Sequence, residues 1–341
     1  HIQAGFFPNE VRENLQREFG NAGRGLIVPL KLAGTNEPPD YAITSPNSWN
    51  RSNCITRAAT EEPGMSGMSI VTYDRHIELD IKTKEPFDRI WAFHHREAPL
   101  LTVPDSLSDG ICCPALDNDE MTLIPLSRPV EQIRLCASVA DSSFAHSAFY
   151  GFSLENGRSG VLYHSFGING NTYAAINRNP QIVRQASGLC PDLVIVSLGT
   201  NDSYGASFDP ADADVQITRL IDSIRRNMPA SVLLLTTPME HCRRIRSKGR
   251  TYRKPNPNAC AMRECILRQA ALYRLPVWDF YAAAGGDGAM GRWADLGIAN
   301  ADRVHLSREG YRLQGKLFYD AIMKAYDHYR KHNGELKILL N

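Results

Sequence analysis

The run Leu193-Val-Ile-Val-Ser-Leu-Gly-Thr-Asn-Asp202 constrains this chain more than any other stretch. Its leading residues are apolar apart from one serine and do not alternate, the texture of a strand covered on both faces. Gly199 then lets the backbone turn sharply, and Thr-Asn-Asp follows where a parallel sheet gathers its functional groups, beyond the strand's C-terminal end. The same texture recurs along the second half of the chain. Strands are expected at 160–165, 192–198, 231–236 and 276–280, and helical patterns at 172–186, 212–226, 258–273 and 307–330. Strand and helix in alternation predict a parallel sheet with helices on both faces.

The first half reads differently. Phe6, Phe7, Val11, Leu15 and Phe19 fall near a 3.6-residue spacing with Gly20 behind them, which predicts an opening helix. A Gly/Pro/Asn-rich passage from 20 to 49 shows no period and is expected to be loop. From 54 to 154, short runs rich in Val, Ile, Thr, Phe and Tyr alternate with turn residues, at 69–73, 77–81, 88–93, 120–125, 132–138 and 148–154. Strands this short and close argue for an antiparallel β-sandwich. The expected organisation is therefore an α/β domain made of 1–50 and 155–341, interrupted by a β module at 51–154. The opening helix has no strand before it, so its partner strand is expected ahead of His1.

The chain's 341 residues can bury a substantial core. Its 38 basic and 37 acidic residues give a net charge of +1, which leaves no footprint for nucleic acid or an anionic membrane. No apolar run approaches the roughly 18–20 residues a membrane-spanning helix needs. The densest basic stretch, from Arg243 to Lys254, holds seven Lys and Arg and reads as a solvated loop, with a substrate-facing lid as the alternative. The eight cysteines, at 54, 112, 113, 136, 190, 242, 260 and 265, have no metal-binding spacing. Cys242 would close the basic stretch with Cys260 or Cys265 in an oxidising compartment; free buried thiols are the alternative. His94 and His95 alternate on a strand pattern and point to opposite faces, so they cannot hold one metal together. Neither a Walker-type phosphate loop nor a Gly-x-Gly-x-x-Gly fingerprint is present, and no cofactor or metal is expected.

Three segments carry chemistry. Asn201 follows the strand at 192–198, Gly167-Ile-Asn-Gly170 follows the strand at 160–165, and Asp302-Arg-Val-His305 precedes the last helix. A backbone amide at a glycine and an Asn side chain can donate to a developing oxyanion. An Asp bonded to one imidazole nitrogen frees the other to take a nucleophile's proton. Each segment alone has an ordinary reading, as an Asx-capped turn, a glycine turn or a helix cap.

Taken together, Gly-Thr-Asn201-Asp, Gly-Ile-Asn-Gly170-Asn-Thr and Asp302-x-x-His305 resemble blocks III, II and V of the SGNH, or GDSL-type, hydrolases. The resemblance implies a flavodoxin-like three-layer α/β/α domain with a parallel sheet. It implies His305 as general base and Asp302 as its orienting carboxylate. The oxyanion donors would be Gly170 N–H and the Asn201 side chain, with Gly167 an alternative to Gly170. The family's nucleophile lies in a Gly-Asp-Ser block, which His-Ile-Gln-Ala-Gly would continue, so the serine is expected immediately before His1. The stretch 151–164 leading into block II, with the β module ahead of it, is similar to bacterial peptidoglycan O-acetylesterases, which carry a carbohydrate-binding-module-like sandwich there. In that module Trp49, Tyr73 and Trp91 are candidate sugar-stacking residues, core packing being the alternative for each.

The implied activity is removal of O-acetyl groups from a glycan, O-acetylated peptidoglycan first, through an acetyl-serine. The substrate is the only implied partner, and the implied place is the periplasm, cell surface or outside. Rival expectations are a deacetylase of another polysaccharide, a general lipase or arylester hydrolase, and a non-catalytic glycan-binding protein.

Overall fold

The computed structural model describes residues 4–56, 63–110, 113–115, 118–140, 144–247 and 249–339. The opening helix, Phe6–Phe19, ends at Gly20, whose φ of +96° few side chains tolerate. It packs along the last helix, Arg308–Leu339, closely enough that a Cβ on Gly315 would meet the Glu10 Cβ at 2.7 Å. Phe7 and Val11 enter a core with Trp278, Phe280, Trp293, Leu306 and Phe318, where the rings of Trp278 and Phe318 lie 4.7 Å apart.

An eight-stranded antiparallel sheet follows. Along its main path run Asn50–Asn53, Met68–Thr72, Ser147–Glu155, His76–His94, Asn118–Ser138 and Cys113–Ala115, each bonded to the next. Gly25–Ile27 pairs with Ser147–Glu155, and Tyr41–Thr44 with His76–His94. The passage at 20–49, expected as loop, thus supplies strands to this sheet. Its signal was hidden because Gly25–Ile27 and Tyr41–Thr44 are only three and four residues long. The pairs of short runs expected at 77–81 and 88–93, and at 120–125 and 132–138, are the ends of two long strands. The register between these strands shifts from Lys82 to Phe87 and again to Arg89, around Pro86, which has no N–H for the ladder.

The second half forms a parallel sheet of three strands, ordered Val277–Trp278, Val232–Thr236, Leu193–Val196. The helices expected at 212–226 and 258–273 form as Pro210–Asn227 and Pro257–Tyr273, each starting a residue or two earlier. Asp209 accepts from Ala211 N and Asn256 from Asn258 N, each with proline at the first helical position. The helix expected at 172–186 is two pieces, Tyr173–Asn177 and Gln181–Ala186, parted by Pro180. The strand expected at 160–165 does not form. Gln16 Nε2 donates to Val161 O, Val161 N donates to Gly20 O, and His164 Nδ1 accepts from Leu26 N, so this segment's polar groups turn toward the first helix and the antiparallel sheet. The basic stretch is not a loop either: Cys242–Ser247 pairs with Arg250–Pro255 as an antiparallel hairpin.

Two polar knots tie the antiparallel sheet to the helices and loops around it. In one, Arg12 from the opening helix and Arg24 both reach Asp40, and Arg12 also pairs with Glu85. Burial pushes the Asp40 carboxyl up, but Arg24, Asn9 and Arg12 together hold it below its ordinary range. In the other, Glu120 accepts from Gln181, Arg184 and Gln185.

Candidate active site

Asp302 and His305 occupy a closed loop between Ile298 and Ser307. Asn300 N donates to His305 O at 2.8 Å, Arg303 N to Asn300 O at 2.8 Å, and Ser307 N to Ile298 O at 3.1 Å. Arg303 takes φ +54° at the tip, which aims the flanking residues at one another. Asp302 Oδ1 accepts the backbone N–H groups of Val304 and His305, each at 2.9 Å. Its Oδ2 meets His305 Nδ1 at 2.8 Å. Partial burial raises the Asp302 carboxyl, yet the His305 amide, the His305 ring and the Val304 amide outweigh it and the net shift is downward. A carboxylate on Nδ1 fixes the tautomer with Nε2 as acceptor. The His305 side chain is 57% exposed, so Nε2 faces solvent rather than core.

Gly170 and Asn201 sit on two turns stitched to each other. Gly170 has φ +82°, in a turn where Asn171 N donates to Ile168 O. Gly199, with φ +113°, caps the short helix Thr200–Tyr204, and a Cβ there would press Met262 and Pro238 at 3.1 and 3.3 Å. Asn201 Nδ2 donates to Asn171 O at 2.9 Å, one residue from Gly170, which leaves its second N–H for another acceptor. Asp202 Oδ1 accepts from Tyr173 N at 2.9 Å. Burial raises the Asp202 carboxyl to about 6, and its Oδ2 has no partner among the described residues. Cys54 Sγ reaches Asn171 Oδ1 at 3.5 Å from the antiparallel half. Gly167 faces elsewhere, into a cavity of about 20 Å³ beside Arg24, Tyr41 and Ser66.

The base of the basic hairpin connects these turns to the His305 loop. Asn256 Nδ2 donates to Ser203 O at 2.8 Å, and Asn256 N donates to His241 O at 2.9 Å. The His241 ring stacks on Tyr204 at 6.0 Å, and burial lowers its affinity for a proton. From the same base, Cys242 N donates to Arg303 O at 2.8 Å and Arg253 Nη1 donates to Asp302 O at 2.9 Å. On the far side, the Arg308 guanidinium lies 5.0 Å over the Phe6 ring, so the opening helix starts beside this loop. His1 itself lies outside the described residues.

Sequence reasoning found the residues with a local motif and missed those that hold them. Asp202 lies within the quoted motif, where its raised carboxyl has no spacing signal. Cys54, His241 and Asn256 meet the site only through the fold. Among the sugar-stacking candidates, Trp49 packs edge-on against Phe149 and Trp91 is half-buried on the core, while Tyr73 stays 61% exposed beside His146. His94 is buried, with its ring nitrogens on His95 O and Thr122 Oγ1. Cys242, Cys260 and Cys265 are free thiols, so the hairpin is closed by its ladder and not by a disulfide. Cys112 lies outside the described residues. No group of three potential metal ligands occurs among the described residues, and no helix there is long and apolar enough to cross a membrane.

The model of the GDSL-like lipase/acylhydrolase family matches residues 141–313. Among solved structures, a peptidoglycan O-acetylesterase superposes with a TM-score of 0.76 at 19% identity, over 95% of this chain and 88% of that one. A lipase/acylhydrolase from Enterococcus faecalis overlaps 45% of this chain and 71% of its own, at 23% identity and a TM-score of 0.34. An acetyl xylan esterase overlaps 46% and 78%, at 18% identity and a TM-score of 0.36. At 19% identity the likeness to the first of these is one of fold. No curated protein sequence matches the chain.

Proposed function

The chain belongs to the GDSL-like lipase/acylhydrolase family and is a carboxylic ester hydrolase, and from that premise we propose that it removes O-acetyl groups from a glycan, with O-acetylated peptidoglycan as first substrate. The observation that carries this reading is the 2.8 Å contact between Asp302 Oδ2 and His305 Nδ1 on an exposed loop. A surface pair with no catalytic duty would contribute little and would not need three bonds to one carboxylate.

In the proposed path a seryl hydroxyl from a Gly-Asp-Ser block ahead of His1 attacks the acetyl carbonyl, and its proton passes to His305 Nε2. Asp302 keeps the ring oriented and stabilises the imidazolium. The tetrahedral oxyanion accepts from Gly170 N–H and from the second N–H of Asn201, each donor being worth about 2.7–4 kcal/mol in the transition state. As the carbon–oxygen bond to the sugar breaks, His305 returns the proton to the departing sugar oxygen. Water then attacks the acetyl-serine, gives its proton to Nε2, and acetate leaves as the serine regains its hydrogen. No step draws on a metal or organic cofactor.

The antiparallel sheet fits a module inserted after the opening helix, beginning nearer residue 25 than 51 because its strands do. We assign it to holding the glycan, with Tyr73 as the exposed ring available for stacking. Such a substrate places the enzyme in the periplasm or outside the cell.

Acetate release from O-acetylated peptidoglycan by the full-length protein tests the reading. His305→Ala should cost at least about a thousandfold in kcat without moving the melting temperature. Full activity in that variant rejects the assignment. Hydrolysis of acetylated xylan alone redirects it to another polysaccharide, and glycan binding without any hydrolysis makes the protein a lectin.

A further inference from the structure

The hairpin Cys242–Ser247/Arg250–Pro255 concentrates charge in a way the fold does not use. Seven Lys and Arg lie between 243 and 254 with no acid among them, in a chain whose net charge is only +1. Lys248 lies outside the described residues; the other six sit on a ladder of only two strands. The register sets Arg244 opposite Arg253 and Arg243 opposite Lys254. Like charges across a ladder are destabilising, and a lone two-stranded hairpin is marginal to begin with. None of Arg244, Arg246 and Arg250 makes an ion pair among the described residues, whereas Arg134, on the antiparallel sheet, meets both Glu78 and Asp80.

Position supplies the reason for the charge. Side chains of directly opposed residues share a face, so Arg244, Arg246 and Arg253 lie on one side of the ribbon. From that side Arg253 reaches Asp302 O, and at the base Cys242 N holds Arg303 O. The cationic face is therefore tied by two hydrogen bonds to the loop that presents His305.

We propose that this hairpin is a carboxylate-binding arm: the glycan whose ester reaches His305 is acidic, and its carboxylates pair with Arg244 and Arg246. This rests on the esterase reading and names the substrate class for the same site. Guanidinium groups bind carboxylates through two parallel hydrogen bonds, and a one-signed surface beside a reacting centre raises the local concentration of an oppositely charged substrate. Peptidoglycan whose stem peptides carry free carboxyls meets the requirement; a neutral acetylated xylan does not.

The test compares the full-length protein with a double variant, Arg244→Glu/Arg246→Glu, and with the same charge change placed elsewhere, Arg219→Glu/Arg226→Glu. On O-acetylated peptidoglycan at 50 mM salt the hairpin variant should lose on the order of tenfold in kcat/KM, through KM. On p-nitrophenyl acetate it should match the parent. Amidating the peptidoglycan carboxyls should erase the difference, as should raising the salt to 0.5 M. An equal loss on both substrates, no loss on either, or the same loss in the distal variant overturns the arm. Binding of non-acetylated polygalacturonate, followed by calorimetry, reads the arm without catalysis. Tighter binding by the parent than by the hairpin variant, with no ester hydrolysed, would keep the arm and sink the esterase; equal binding with active hydrolysis would do the reverse.

Discussion

The arginines that tie the antiparallel sheet to its surroundings and those of the hairpin are the same residue in opposite situations. Arg12, Arg24 and Arg184 each face a carboxylate within the fold. Arg244, Arg246 and Arg250 face none among the described residues, on a hairpin whose Arg253 and Cys242 hold the loop of Asp302 and His305. In the first region charge closes an internal junction, so its removal is felt as instability. In the second it is left open to solvent, so its removal should be felt only by a substrate. The contrast separates groups the fold needs from groups the chemistry needs.

Arg12→Ala should break the first side of that contrast hardest. Its side chain is 2% exposed and serves both Asp40 and Glu85. Deleting it leaves two partly buried carboxylates short of a cation, and breaking such a pair typically costs about 3–5 kcal/mol. Chemical denaturation should show a loss of that size, and esterase activity per folded molecule should be unchanged. A loss below about 1 kcal/mol would mean that Arg24 alone satisfies Asp40.

Asn201→Ala probes the other side. Its side chain is exposed and its bond to Asn171 O is that of a neutral amide, worth about 1 kcal/mol net. Stability should therefore change little, while kcat falls about 10²–10³-fold if the second N–H serves an oxyanion. A fall confined to KM would place Asn201 in ground-state binding instead. Together these two variants ask whether stability and activity divide between the regions as the charges do.

How far the sequence disclosed this arrangement depends on the reach of each signal. The helices expected at 212–226 and 258–273 are legible because their apolar period repeats within a few turns. Asp302 and His305 are likewise three residues apart, so their pairing is visible in the motif. The long strand His76–His94 read as two because Pro86 breaks its alternation, although the chain bends there and continues. The hairpin was invisible for a related reason: arginine and lysine at half of its positions carry no β pattern, and what fixes the pairing is its anchored base. Asn256 caps a helix through its oxygen and also ties Ser203 through its nitrogen. That second bond crosses to another turn, which no local pattern reports.

Asp202 offers the smallest effect and the sharpest sign. It is half-buried beside Asn201, and burial raises its carboxyl to about 6 from an ordinary value of 3.8. A group raised in the folded state contributes stability that is fully present below its unfolded value and is lost as pH climbs through the folded one. The fold should therefore lose roughly 3 kcal/mol of this contribution between about pH 4 and pH 6. Glu37, raised to about 7 mainly by burial, acts in the same direction over an overlapping window, so the difference between parent and variant is the quantity to read. Asp202→Asn keeps an oxygen for Tyr173 N and removes the titration. Its denaturation midpoint should fall less steeply than the parent's across that window, whatever the absolute stability of the variant. Parallel curves would mean that water reaches Oδ2 and that the carboxyl is not raised. The stitch between the Gly170 and Asn201 turns would then carry no pH-dependent strain.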